Sequence, residues 1–345
     1  MADQITNNVN NDGIDRRGFL KCMAWVGTGL LWTFTGGVLT GCSPANPPSQ
    51  APANASGAPG AANPAPAAAA QPTAAPAATP NGDFSFMQIS DSHIGFSADP
   101  NKNVTATFQE AVNRINALAA PPAFLLHTGD LTHLSKAAQF DTVAQVLKGA
   151  KTGQVYFVPG EHDVIGDNGK AYLDRYGKDT SGGGWHSFDY GKVHFIGLVN
   201  VLNLKAGGLG YLGQDQLDWL KKDTAGLPAS TPVVVFAHIP LWSVYPQWGW
   251  GTDDGEQALT MLKRFGSLTV LNGHIHQILQ KVEGNVTFHT ARSTAFPQPE
   301  PGKAPSPGPI KTVPADQLRS MLGLTSVSYV ERNTSLATVD STLAS

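Results

Sequence analysis

The chain has 345 residues, 41% of them hydrophobic, and a formal net charge of −3. That apolar share can fill a sizeable core, and the absence of a lysine/arginine block leaves nucleic-acid binding with little electrostatic support. There are ten histidines but only two cysteines, Cys22 and Cys42, so the chain beyond residue 42 has no disulfide and relies on core size or metal instead.

The first eighty residues do not read as a folded domain. Arg16-Arg17-Gly18-Phe19-Leu20-Lys21 is followed by an uncharged, mildly apolar stretch, Cys22 to Thr40, that ends in Leu39-Thr40-Gly41-Cys42. By length this stretch approaches the roughly 20 residues of a membrane span, but Gly27, Gly29, Gly36 and Gly37 fit the apolar region of a signal peptide better. The double arginine resembles a twin-arginine export signal, and the last four residues resemble a bacterial lipobox. Together they imply a signal peptide over 1–41, lipidation of Cys42, and a domain anchored to a membrane in the bacterial periplasm or at the cell surface. Residues 43–80 are almost entirely Ala, Pro, Ser, Gly, Asn, Gln and Thr, without charge or large apolar side chains. Such a segment cannot bury enough surface to offset its ordering entropy, so 42–82 reads as the lipidated cysteine and a tether.

The remainder, 83–345, reads as one folded domain. Phe84–Ile89 alternates as a strand and leads to Ser90-Asp91. Ala106–Ala119 has helical spacing, with Phe108, Val112, Ile115 and Leu118 on one face. Ala123–His127 is a strand ending at Gly129-Asp130, and Lys136–Lys148 is helical. Val155–Val158 is a strand before Pro159-Gly160-Glu161-His162-Asp163. Trp185–Tyr190 and Val193–Val199 form a hairpin about Gly191, and Gln214–Lys222 is helical. Pro232–Ala237 leads to His238, Glu256–Phe265 is helical, and Leu268–Leu271 leads to Gly273-His274-Ile275-His276. Glu283-Gly284-Asn285 is a hairpin turn between Val282 and Val286. Phe296–Pro314 is a Pro/Gly-rich loop, and two closing strands follow, Val327–Val330 and Leu336–Val339. Five strands thus finish with Asp or His at or just past their C-terminal ends, and in open α/β sheets ligands gather at the carboxyl ends of strands.

Carboxylate and imidazole donors suit borderline divalent metals. The ordered set Asp91-x-His93, Gly129-Asp130, Gly160-Glu161-His162-Asp163, His238 and Gly273-His274-x-His276 resembles the blocks of the calcineurin-like metallophosphoesterase family. The resemblance covers residues 83 to about 295. It implies an α/β fold, an αββα sandwich of two mixed β-sheets flanked by helices, and two metal ions drawn from Fe, Mn and Zn. It implies that Asp91, His93 and His276 hold one metal, that Glu161, His238 and His274 hold the other, and that Asp130 bridges them. His162 would contact the phosphate and protonate the leaving group, and Asp163 would either orient it or be purely structural. A small phosphorylated substrate, a phosphate mono- or diester, would be hydrolysed through a metal-bound hydroxide. The chain departs from the family pattern at Glu161, where the family has a neutral Asn; one negative charge and one methylene are added to the centre.

The rival reading uses the same fold as a metal-binding lipoprotein that does not turn over, with Glu161 as its mark. His127 and His133, close to Asp130 in sequence, are candidates for supporting the ligands. His186, His194 and His289 read as ordinary polar residues. Trp242, Tyr245, Trp248 and Trp250 form an aromatic run that would either wall a substrate, pack its own loop or touch lipid. Arg292 is a candidate phosphate contact by charge alone.

Overall fold

The computed structural model describes residues 82–331 and 335–344; the double arginine, Cys42 and the tether lie outside them. Among the described residues, eleven strands fall into two sheets. The first contains β1 (Phe84–Ile89), β2 (Phe124–His127), β3 (Gln154–Phe157), β10 (Gly323–Tyr329) and β11 (Ala337–Thr342), in the order β11-β10-β1-β2-β3. The second contains β4 (His186–Tyr190), β5 (Val193–Gly197), β6 (Val233–Ala237), β7 (Leu268–Asn272), β8 (Gln280–Glu283) and β9 (Val286–Thr290), in the order β4-β5-β6-β7-β9-β8. Both are mixed. Strands β1, β2 and β3 run parallel, as do β5, β6, β7 and β9, while the outer pairings are antiparallel.

The side-chain period of two assigns each strand two tasks. On β1, Phe84 and Phe86 face the second sheet, while Met87 and Ile89 face outward. On β6, Val234 and Phe236 face inward and Val233 and Val235 outward. The layer between the sheets is aromatic: Phe86 stacks on Phe124 at 4.8 Å, and Phe195 meets Phe124 edge-on at 5.1 Å. Outside the first sheet pack α1 (Val104–Asn116) and α2 (Ala137–Leu147); outside the second pack α4 (Gln214–Thr224) and α5 (Gly255–Leu262). This is the expected αββα sandwich. Near the carboxyl ends of the central strands the inner layer turns polar. Gln88 Nε2 on β1 donates to Thr128 Oγ1 and to the Asn272 carbonyl of β7, both at 3.1 Å, which stitches the sheets together beneath the rim.

Helix α1 starts at Val104 because the Asn103 side chain accepts from Ala106 N. It stops at Asn116, so Leu118, expected on the apolar face, lies past the end and is exposed. A helix that periodicity does not show, α3 (Lys170–Tyr176), has seven residues and one buried side chain, Tyr172. Two turns are too short for a 3.6-residue pattern to emerge. A last short helix, α6 (Leu318–Met321), precedes β10. The stretch between β9 and α6 contains no further strand or helix, as its prolines and glycines imply.

Candidate metal centre

Each strand of the central set places its functional residue within a few positions of its end. Asp91 and His93 follow β1, Asp130 follows β2, His238 follows β6 directly, and His274 and His276 follow β7. Glu161, His162 and Asp163 form a single 3-10 turn after β3. Five of these residues sit at positive φ: Asp91 (54°), His93 (41°), Asp130 (52°), His274 (71°) and His276 (54°). Left-handed backbone costs a side-chain-bearing residue about 1–3 kcal/mol, and it persists where the surrounding fold over-determines it. Gly160 is required by close approach: a Cβ there would lie 2.0 Å from Asp130 Oδ1. Gly129, at φ +98°, would drive a Cβ to 2.4 Å from His238 Nδ1.

The donor atoms converge in two groups. In the first, Asp91 Oδ1 is 3.1 Å from His276 Nε2, which is 3.3 Å from His93 Nε2. In the second, the Glu161 carboxylate reaches His238 Nε2 at 2.9 Å with one oxygen and His274 Nδ1 at 3.0 Å with the other. Asp130 Oδ2 stands between the groups, 3.4 Å from His93 Nε2 and 3.5 Å from His238 Nε2. In each of the triads Asp91–His93–His276 and Glu161–His238–His274, the donor atoms lie within 4.8 Å of one another, and all six residues are buried.

The chemistry of this donor set fits cations. His238 Nδ1 and His276 Nδ1 lie 2.8 and 2.6 Å from the carbonyl oxygens of Thr128 and Phe296, so both are N–H donors. In the neutral rings the Nε2 lone pairs therefore face inward, each toward a second imidazole nitrogen and a carboxylate oxygen. Lone pairs converging in a buried site repel unless a proton or a metal lies between them. Glu161 Oε2 is buried without a well-directed hydrogen bond despite its nearness to His238, as expected of a ligand aimed at a shared point. Burial alone would raise the Asp91 carboxyl, but His276 and His238 outweigh it and hold Asp91 ionised below its ordinary range. Burial likewise opposes ionisation of Glu161, and His274 and His238 overcome it by a wide margin.

His162 stands beside the two triads, close enough to form further candidate sets with Asp130 and Glu161 and with His93 and His133. Its Nδ1 donates to the His133 carbonyl at 2.8 Å, and its ring stacks on that of His133. Its backbone N–H donates to Asp130 Oδ1 at 2.9 Å. Asp163 points away from the donors. It accepts from the backbone N–H groups of Leu131, Thr132 and Gly160 and from Thr132 Oγ1, so it ties the turn after β3 to the turn after β2. Burial, then Asp130, push its carboxyl up to about 7 against the pull of those donors.

Two supporting residues stand out. His133 Nδ1 faces His93 Nδ1 at 3.5 Å; its signal in the sequence is its place three residues past Asp130. Phe296, at the start of the Pro-rich loop, covers His93 and His276 with ring centroids at 4.7 Å each, while its carbonyl holds His276. It lies twenty positions beyond His276, and nothing in the sequence marks it. His127 sits deeper, its Nε2 3.0 Å from Ser92 Oγ, and burial drives its pKa to about 3. Trp248 and Trp250 pack against Ile275 and are buried, so they serve their own loop. Trp242 packs on Phe288, and Arg292 Nη1 donates to the Ser320 carbonyl. His186, His194 and His289 are engaged elsewhere, His194 between Asp189 and Asp223 and His289 with Asp340.

The family model for calcineurin-like phosphoesterases matches residues 84–278, the span that carries all of these donors. The chain belongs to the calcineurin-like phosphoesterase family. Among relatives, it is 24% identical to a probable cyclic nucleotide phosphodiesterase from Rhodopseudomonas palustris, over 61% of this chain and 78% of that protein. It is 26% identical to a serine/threonine-protein phosphatase from Danio rerio, over 57% of this chain and 71% of that one. Its fold is similar to those of a dimetal phosphatase from Danio rerio and a purple acid phosphatase from yellow lupin. The first has a TM-score of 0.51 and 14% identity over 74% of this chain and 98% of that chain. The second has a TM-score of 0.54 and 14% identity over 80% and 53%. Members of this phosphoesterase family use a binuclear metal centre, and the two donor groups joined by Asp130 are the residues that fit one here.

Proposed function

We propose that this protein hydrolyses phosphate mono- or diesters with two metal ions, drawn from Fe, Mn and Zn. The observation that carries the reading is the single carboxylate oxygen of Asp130 placed between the two donor groups. Asp91, His93 and His276 would hold one ion, and Glu161, His238 and His274 the other. Bound there, a metal pair supplies Lewis-acid polarisation of the phosphoryl group and a more acidic water. The protein orients the donors through Thr128 O and Phe296 O and keeps the site dry with Phe296. His162, its Nδ1 proton committed to the His133 carbonyl, holds a second proton on Nε2 for the leaving oxygen as water adds and the P–O bond breaks. The assay is hydrolysis of p-nitrophenyl phosphate and its bis-ester by protein loaded with Mn, Zn or Fe, with metals counted. Turnover of at least one ester at close to two metals per chain is expected. Two bound metals with no turnover of either ester would favour the binding-lipoprotein reading instead.

The N-terminal sequence supports export by the twin-arginine route and anchoring through lipid on Cys42, with the 43–80 segment as spacer. Cys42→Ala is then expected to release the protein from membranes without change in specific activity. A variant that still sediments with membranes and resists salt extraction would refute the lipid anchor.

A further inference from the structure

We propose that Glu161 sets the net charge of the metal centre and thereby selects phosphodiester monoanions over phosphomonoester dianions. The inference rests on the two-metal reading above. Glu161 is buried and spans the two histidines of the second donor group. It is the third carboxylate of the cluster, with Asp91 and Asp130. Among the described residues, the ion-pair partners of all three are histidines, with no lysine or arginine within salt-bridge distance. Apart from a protonated His162, the substrate's charge must therefore be met by whatever positive charge the metals retain. Two divalent ions bring about four positive charges; three carboxylates and the attacking hydroxide offset about four, which leaves the centre near neutral and favours the smaller charge of a diester monoanion. The neutral Asn usual in the family would leave about one more positive charge, which favours a monoester dianion by more than it favours a monoanion. In a dry site a residual negative charge on the ligand is expensive, because Coulomb terms are weakly screened there.

The test compares wild type with E161Q, which keeps shape and reach but removes the charge, and with E161D, which keeps the charge. Each protein is loaded with Mn, its metals are counted, and its dissociation constants for orthophosphate and dimethyl phosphate are measured by calorimetry at mildly alkaline pH. E161Q is expected to favour orthophosphate over dimethyl phosphate by about tenfold more than wild type does. E161D is expected to keep the wild-type ratio, even if both affinities fall. Binding constants are read at equal metal loading, so a variant that needs more free Mn to fill its sites is still informative. An unchanged ratio in E161Q, an equal shift in E161D, or a trivalent ion in the native wild-type protein that restores the missing charge would each overturn the proposal. Failure of the metal-loaded wild type to hydrolyse any ester would instead sink the phosphoesterase reading and leave the anion-binding result standing.

Discussion

Asp130→Asn is expected to remove nearly all activity and to lower metal content more than any other single ligand change. Asp130 Oδ2 lies 3.4 and 3.5 Å from one histidine of each donor group, and Oδ1 accepts the His162 backbone N–H. Asparagine keeps the size and one oxygen but supplies no charge, so both metal positions weaken together. Substituting groups that merely orient metal ligands already costs about 10–100-fold. A carboxylate shared by two sites should cost well beyond that range. Metal analysis by mass spectrometry and steady-state kinetics on the same preparation would decide it. Loss of a single metal with activity retained would show that Asp130 belongs to one site alone.

His162→Gln should lower kcat by about 10²–10⁴-fold on esters with alkoxide leaving groups, and far less on p-nitrophenyl esters. A poor leaving oxygen needs a proton, whereas p-nitrophenolate does not. Metal content should not change, because the ring lies beside the donor triads and its Nδ1 is committed to His133 O. Without bound metals, burial opposes a charged imidazole here, but Asp130 and Glu161 outweigh it and raise the pKa above the ordinary histidine value. The proton-bearing form is present at low pH and is lost as pH rises through the ring's pKa, which metal ions on those carboxylates would lower. Wild type should show a falling alkaline limb with alkyl esters, and the variant should lack it. Equal losses for both leaving groups, or a parallel loss of metal, would assign His162 a structural role.

Much of this site is legible in the order of residues alone. The blocks at Asp91, Asp130, Glu161, His238 and His274 each follow a run whose alternation or apolar density marks a strand, and glycines punctuate three of them. These are local signals, carried by neighbouring side chains, and the strand bounds agree with them to within a few residues. Glu161 as a departure from the family's Asn is readable directly. The short helix α3 is not, because it is too brief to show a period, and neither is the end of α1, which depends on where the chain turns.

Residue type and alternation settle the donor inventory and its attachment to strand ends, since side-chain chemistry and period-two burial are written residue by residue. How the donors are shared between two groups is settled by packing. Strands β1, β2 and β3 belong to one sheet and β6 and β7 to the other, so each donor group draws from both. His93 and His276 meet across 183 positions of chain. Local periodicity carries no record of which sheet a strand joins. The tautomers of His238 and His276 are held by the carbonyls of Thr128 and Phe296, and a carbonyl is common to every residue, so no pattern can announce it. The left-handed backbone at five of the donor positions has the same origin: the packed sandwich imposes it, because only there do five strand ends from two sheets have to aim at one small volume.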